Sequence, residues 1–219
     1  MLKKLLFTVL TVVFCSSVAH AGFLTGNSLP YIAGKGSYAV KINSTTLMTE
    51  TPFSAMCMIG KYGLSDTINL YGKLGVGSVD YSTVSGTKLS ANPQEGACGV
   101  EYILNGTREA RYNSIVAEYE TVSWGVNKKS NTSTEILLGY DFIVPASTFL
   151  MTRYRLAVNN FNAGTESEEH IATTVKYSLS TELEYSFTSN YKGSFEIGVY
   201  FGDPGGLIST FGFGIGFNS

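Results

Sequence analysis

The chain ends on Phe211-Gly212-Phe213-Gly214-Ile215-Gly216-Phe217, followed by Asn218 and Ser219. Large apolar side chains alternate with glycine at a period of two. Successive residues of a strand point to opposite faces. One face of this strand is therefore a wall of Phe and Ile, and the other is nearly bare. A soluble sheet with one open face shows polar residues there. A bare face suits a strand that looks into a crowded lumen, and a wholly apolar face suits lipid. Phe211, Phe213, Ile215 and Phe217 are thus expected to form the lipid-facing side of a closing strand and to act as its insertion signal.

The other end of the chain points to export. Lys3 and Lys4 precede an apolar run over 5–14, too short to span a bilayer as a helix, and Ala19-His20-Ala21 fits a cleavage site. The expected organisation is a signal peptide over 1–21 and a single domain over 22–219. Phe14 before Cys15 argues against a lipoprotein signal. The chain has 15 Lys and Arg against 17 Asp and Glu, and loss of Lys3 and Lys4 makes the mature chain more acidic. Nothing here favours nucleic acid. After residue 22 no apolar run is long enough for a transmembrane helix. With 24 Gly, 14 Tyr and 13 Phe and only 15% charged residues, the composition is that of strands and turns.

Period-two patterning marks strands at 31–42, 53–63, 68–79, 96–104, 112–124, 134–144, 148–158, 170–178, 181–190, 193–201 and the final stretch. A single-chain bacterial barrel needs an even number. Merging 181–190 with 193–201, whose parities agree, gives ten; an irregular first hairpin would give eight. Connections alternate between short (65–66, 145–147, and a tight reversal at 178–180) and long and polar (80–94, 125–133, 159–169), as in an up-and-down membrane barrel. The expected fold is a closed antiparallel β-barrel, all-β.

Parity sorts the charges. Lys61, Lys73, Glu101, Glu118, Glu120, Glu135, Asp141, Arg153, Arg155, Lys176, Glu182, Glu184 and Glu196 share the inward face, and the large apolar residues share the other. Charges in a low-dielectric lumen must pair or be hydrated, and Asp141 and Arg153, on one hairpin, are natural partners. This network reads first as a polar core that fills a narrow barrel and second as the lining of a small conductive path. Glu118 and Glu120, two apart on a strand, are more simply structural than a catalytic pair. Cys57 and Cys98 are placed on opposite faces with a strand between them, which argues against a disulfide. His170, beside Glu166, Glu168 and Glu169 on an outer loop, has the chemistry to attract a cation but reads as a solvated acidic loop. No cofactor or structural metal is expected.

Segments such as Lys61-Tyr62-Gly63-Leu64-Ser65-Asp66-Thr67-Ile68-Asn69-Leu70-Tyr71 and Lys176-Tyr177-Ser178-Leu179-Ser180-Thr181-Glu182-Leu183-Glu184-Tyr185 look like hairpins of the small bacterial outer-membrane β-barrel, porin-like family. The terminal Phe-rich strand resembles that family's closing strand. The resemblance runs over the mature chain and implies residence in the outer membrane, usually without enzymatic activity. It also implies contact with lipid and lipopolysaccharide, and handling by periplasmic chaperones and the barrel-assembly machinery. A monomer is expected, without the periplasmic peptidoglycan-binding domain of some relatives. The functional expectation is a structural or surface-interacting protein. The alternatives are a narrow pore for ions or small solutes and, further off, a soluble secreted barrel that binds a small apolar ligand.

Overall fold

The computed structural model describes residue 29 and residues 34–48, 53–82, 88–106, 111–126, 129–164, 174–201 and 208–219. The expected signal segment over 1–21 and the expected acidic loop with His170 lie outside the described residues. The strands are β1 (Tyr38–Met48), β2 (Phe53–Gly63), β3 (Ile68–Ser82), β4 (Lys88–Ala91), β5 (Gln94–Gly106), β6 (Tyr112–Val126), β7 (Lys129–Pro145), β8 (Leu150–Gly164), β9 (Thr174–Ser186), β10 (Tyr191–Phe201) and β11 (Ile208–Asn218). Apart from β4 and β5, sequence neighbours pair antiparallel, and β11 pairs with β1. The short β4 and then β5 run in series along β3, so the wall is a closed up-and-down barrel of ten staves.

Pro93 explains the break between β4 and β5. Proline has no N–H to give a ladder, but its carbonyl accepts from Gly77 N at 2.7 Å, and pairing resumes one residue later. The connections at 64–67, 146–149 and 187–190 lie on the rim that also holds Tyr38 and Ser219, here called the near rim. Those three turns share one device. Ser65 Oγ accepts from the backbone N–H groups of Thr67 and Ile68 at 3.2 and 2.9 Å. Ser147 Oγ does so for Phe149 and Leu150 at 3.2 and 3.1 Å. Thr188 Oγ1 does so for Asn190 and Tyr191 at 3.3 and 3.0 Å. A hydroxyl mimics a backbone acceptor and fixes the reversal.

The fold class and the ten strands match the sequence reading, but several boundaries do not. The first strand begins at Tyr38 and runs to Met48, past the expected end at residue 42, because Ser44 and Thr46 put polar groups on the outer face and hide the alternation. The expected loops 80–94, 125–133 and 159–169 are largely strand: β3, β6, β7 and β8 run to 15, 15, 17 and 15 residues. A tilted bilayer crossing needs about 9–11 residues. At these far ends the sequence carries polar residues on both parities, as at Ser130, Asn131, Asn159 and Asn160, so the alternation that marks a strand is lost. The connection between β6 and β7 is consequently only 127–128. The merger that gives ten is also different. There is no reversal at 178–180; β9 runs straight through it, and the chain turns at 187–190 into a separate β10.

Candidate functional site

The site is the lumen. Its side chains are set by parity along each strand: on β6, Tyr112, Ser114, Val116, Glu118, Glu120 and Val122 are buried, whereas Ile115 and Tyr119 are exposed on the outer wall. Of the expected lumen charges, Lys61, Lys73, Glu101, Glu118, Glu120, Glu135, Asp141, Arg153, Arg155, Glu182, Glu184 and Glu196 are buried. Lys176 is half-buried. The structure adds Lys41, Glu95 and Lys192, all buried. Glu95 and Lys192 stand just outside the expected strands and Lys41 inside the expected strand 31–42, and each continues its strand's parity: Lys41 with Asn43, Glu95 with Ala97 and Glu101, Lys192 with Glu196.

Asp141 is the hub of one group. Arg155 lies directly opposite it in the β7–β8 register and grips it with two prongs, Nε to Oδ1 at 2.5 Å and Nη2 to Oδ2 at 2.6 Å. The fork geometry of guanidinium on carboxylate favours this pairing. Arg153, the partner expected from sequence, is second at 3.5 Å. Its own direct neighbour across the β8–β9 ladder is Glu182, reached by Nη1 at 2.8 Å. Glu182 also takes Lys41 Nζ at 2.5 Å. A second group centres on Glu101, which forms an ion pair with Lys61 Nζ at 2.6 Å and accepts hydrogen bonds from Asn69 at 2.5 Å and Ser114 at 3.0 Å. Lys73 pairs with Glu118 at 2.7 Å and Lys192 with Glu184 at 2.8 Å. Removing charges from water costs several kcal/mol per ion, roughly offset only by close pairing with further hydrogen bonds, and the Asp141 and Glu101 carboxylates, each hydrogen-bonded at both oxygens, meet that condition.

The glycine face of β11 has a definite use. Lys41 belongs to β1 and Glu182 to β9, with β11 and β10 between them. The lysine stem passes over the inner face of β11 to meet the Glu182 carboxylate. A Cβ on Gly214 would sit 2.4 Å from Lys41 Cε and 2.7 Å from Ser194 Oγ. Only the absence of a side chain leaves that lane open.

Towards the far rim the lumen turns acidic. Glu120 stands directly opposite Glu135 across β6–β7, and Glu95 and Glu196 are buried as well. Among the described residues no group of His, Cys, Asp or Glu has the geometry to hold a metal ion. Cys57 is buried in the lumen, Cys98 lies on the opposite parity, and the two form no disulfide; β3 separates them, as the sequence indicates.

The outer wall is apolar. Phe213 and Ile215 are 64% and 70% exposed, and Ile42, Met56, Val76, Ile136, Leu138 and Leu156 continue the surface round the barrel. Aromatic pairs gather at its edges. Near the termini are Tyr191–Phe217 at 5.4 Å, Tyr185–Phe187 at 5.3 Å and Tyr38–Phe217 at 6.4 Å; at the other edge is Tyr177–Phe201 at 5.8 Å. Tyr177 and Tyr185 are eight residues apart on β9. That is about 26 Å along a strand, or about 20 Å along the barrel axis at a tilt near 40°.

Solved structures share this architecture at low sequence identity. The translocator domain of the autotransporter NalP from Neisseria meningitidis aligns with a TM-score of 0.50 and 10% identity, covering 84% of this chain and 88% of that one. The β domain of the Bordetella autotransporter BrkA gives 0.52 and 9%, covering 84% and 99%. The transport unit of the autotransporter AIDA-I from Escherichia coli gives 0.52 and 9%, covering 91% and 94%. No protein-family model matches the sequence, and no curated protein matches it. The fold is that of a small bacterial outer-membrane β-barrel.

Proposed function

We propose that this chain is a non-enzymatic protein of the bacterial outer membrane whose lumen is closed by its own ion pairs, with a structural or surface-interacting role. One observation carries the reading: the polarity of the barrel is inverted. Charged residues fill the inside, and the side exposed all round is apolar and edged with aromatic rings. In water this surface would be a large apolar patch of the kind soluble monomers avoid. In a bilayer it is the expected wall, with Tyr and Phe at the interfaces. The described strands pair into a closed ladder, as hydrocarbon demands of a spanning sheet.

The lumen opposes both an active site and an open pore. Glu118 is held by Lys73, and both Glu118 and Glu120 are buried, which supports a structural use of this pair. A barrel of this size has an interior little wider than its side chains, and Lys61, Glu101 and Asp141 are 0% exposed. Outer-membrane lipid, lipopolysaccharide, the barrel-assembly machinery and periplasmic chaperones are the partners this reading implies. Fractionation after expression tests it. The protein should sediment with outer membranes and need detergent for release; folded protein in the soluble periplasm would overturn the reading.

A further inference from the structure

Leu29 lies outside the wall's strands, nine residues before β1, yet it is 0% exposed. Its neighbours are lumen residues. It belongs to one apolar cluster with Cys57, Ile59, Tyr71, Val116, Leu137 and Ala157, which come from β2, β3, β6, β7 and β8. The Leu29 carbonyl accepts a hydrogen bond from Arg153 Nη1, the same nitrogen that reaches Glu182. Tyr38, the first residue of β1, is at the near rim with Ser219. Leu29 has therefore entered the barrel.

We propose that the lumen contains a built binding site for a peptide segment, an apolar socket with Arg153 as the carbonyl-binding latch, and that the chain's own Leu29 occupies it as a plug. The socket is an apolar island in a charged interior. Empty, it would be a cavity whose lining loses its contacts. The latch is not an idle contact either. The Asp141 carboxylate already has both prongs of Arg155, and Glu182 already has Lys41. Arg153 can thus direct donors to a backbone carbonyl without stranding either acid.

Thiol accessibility in the folded, detergent-solubilised barrel tests this, with sites resolved by peptide mapping so that Cys57 and Cys98 remain in place. Leu29→Cys should react with a small water-soluble maleimide at least tenfold more slowly than Lys35→Cys, whose parent residue is exposed. Adding Arg153→Gln should speed the Leu29→Cys reaction several-fold, and Arg153→Lys, which still donates, should restore part of the protection. Heat-modifiable migration confirms that each variant is folded; Arg155 and Lys41 keep both acids paired when Arg153 is replaced. Equal rates for Leu29→Cys and Lys35→Cys would overturn the socket, and protection indifferent to Arg153→Gln would overturn the latch. The assay does not depend on membrane residence, so its failure is separable from failure of the outer-membrane reading.

Discussion

Gly214 and Lys41 show how a missing side chain becomes a structural element. The alternation of Phe and Gly indicates a bare face looking into a crowded lumen, and Gly214 is on that face. What crowds it is not legible locally, because the lysine comes from the other end of the chain and its acid is three strands away. The consequence is specific. Gly214→Ala places a methyl where Lys41 Cε and Ser194 Oγ lie, and Lys41 cannot move aside without leaving Glu182. At Gly216 the nearest atoms to a new Cβ are Val40 O at 3.4 Å and Lys41 Cβ at 3.7 Å, which is tight but tolerable. Gly214→Ala should cost about 1–3 kcal/mol, as overpacking does, and Gly216→Ala distinctly less, read from urea unfolding midpoints in detergent. Glu182→Gln should cost about 3–5 kcal/mol, since it leaves Lys41 buried without its anion; equal midpoints for wild type and Glu182→Gln would disprove the pairing.

At the scale of elements, β11 closes the barrel by more than its ladder. The Phe217 ring lies between Tyr38 and Tyr191. Asn218 N–H donates to Asn190 O and Asn190 Nδ2 donates back to Asn218 O, both at 2.8 Å, while Ser219 N–H donates to Tyr38 O at 3.0 Å. The two residues after the aromatic run are thus part of the seam. Phe213→Ser with Phe217→Ser should lower outer-membrane levels and leave chain in the periplasm, because polar groups on the lipid face are costly at depth. A double variant that reaches the outer membrane and shows wild-type heat-modifiable migration would refute a role for this face in insertion. β9 carries the opposite lesson about legibility. Ser178-Leu179-Ser180 reads as a turn, yet Tyr177, Leu179, Leu183 and Tyr185 keep one parity across it and are all exposed outward. The serines are small because the lumen is full there: Ser178 Oγ accepts from Asn159 Nδ2 at 3.3 Å, and a Cβ on Gly198 would meet Ser180 Cβ at 3.2 Å. Small inward residues and turn residues share a composition, and parity separates them.

For the whole molecule, the sign of the barrel was readable and its extent was not. Inward charges and an outward apolar wall follow from a period of two, which a bilayer imposes on every crossing. At the far ends of β6, β7 and β8 polar residues stand on both parities, so strand continuation left no pattern in the sequence. Nor did parity show which acid would meet which base, since register decides that: Asp141 faces Arg155, not Arg153. The closing of the lumen depends on these pairs, and it can be tested by taking one out cleanly. Asp141→Ala with Arg155→Ala removes both members of a directly opposed pair and changes no net charge. It leaves Arg153 with Glu182 and Lys61 with Glu101, so no ion loses its only partner. Removing both members of a buried pair is far milder than removing one, and the variant should still fold by heat-modifiable migration. In planar bilayers the wild type should show no stable steps, and the double variant should show small, reproducible ones. Stable wild-type steps as large as those of the variant would mean that the ion pairs line a path rather than close it, and the protein would be a narrow pore.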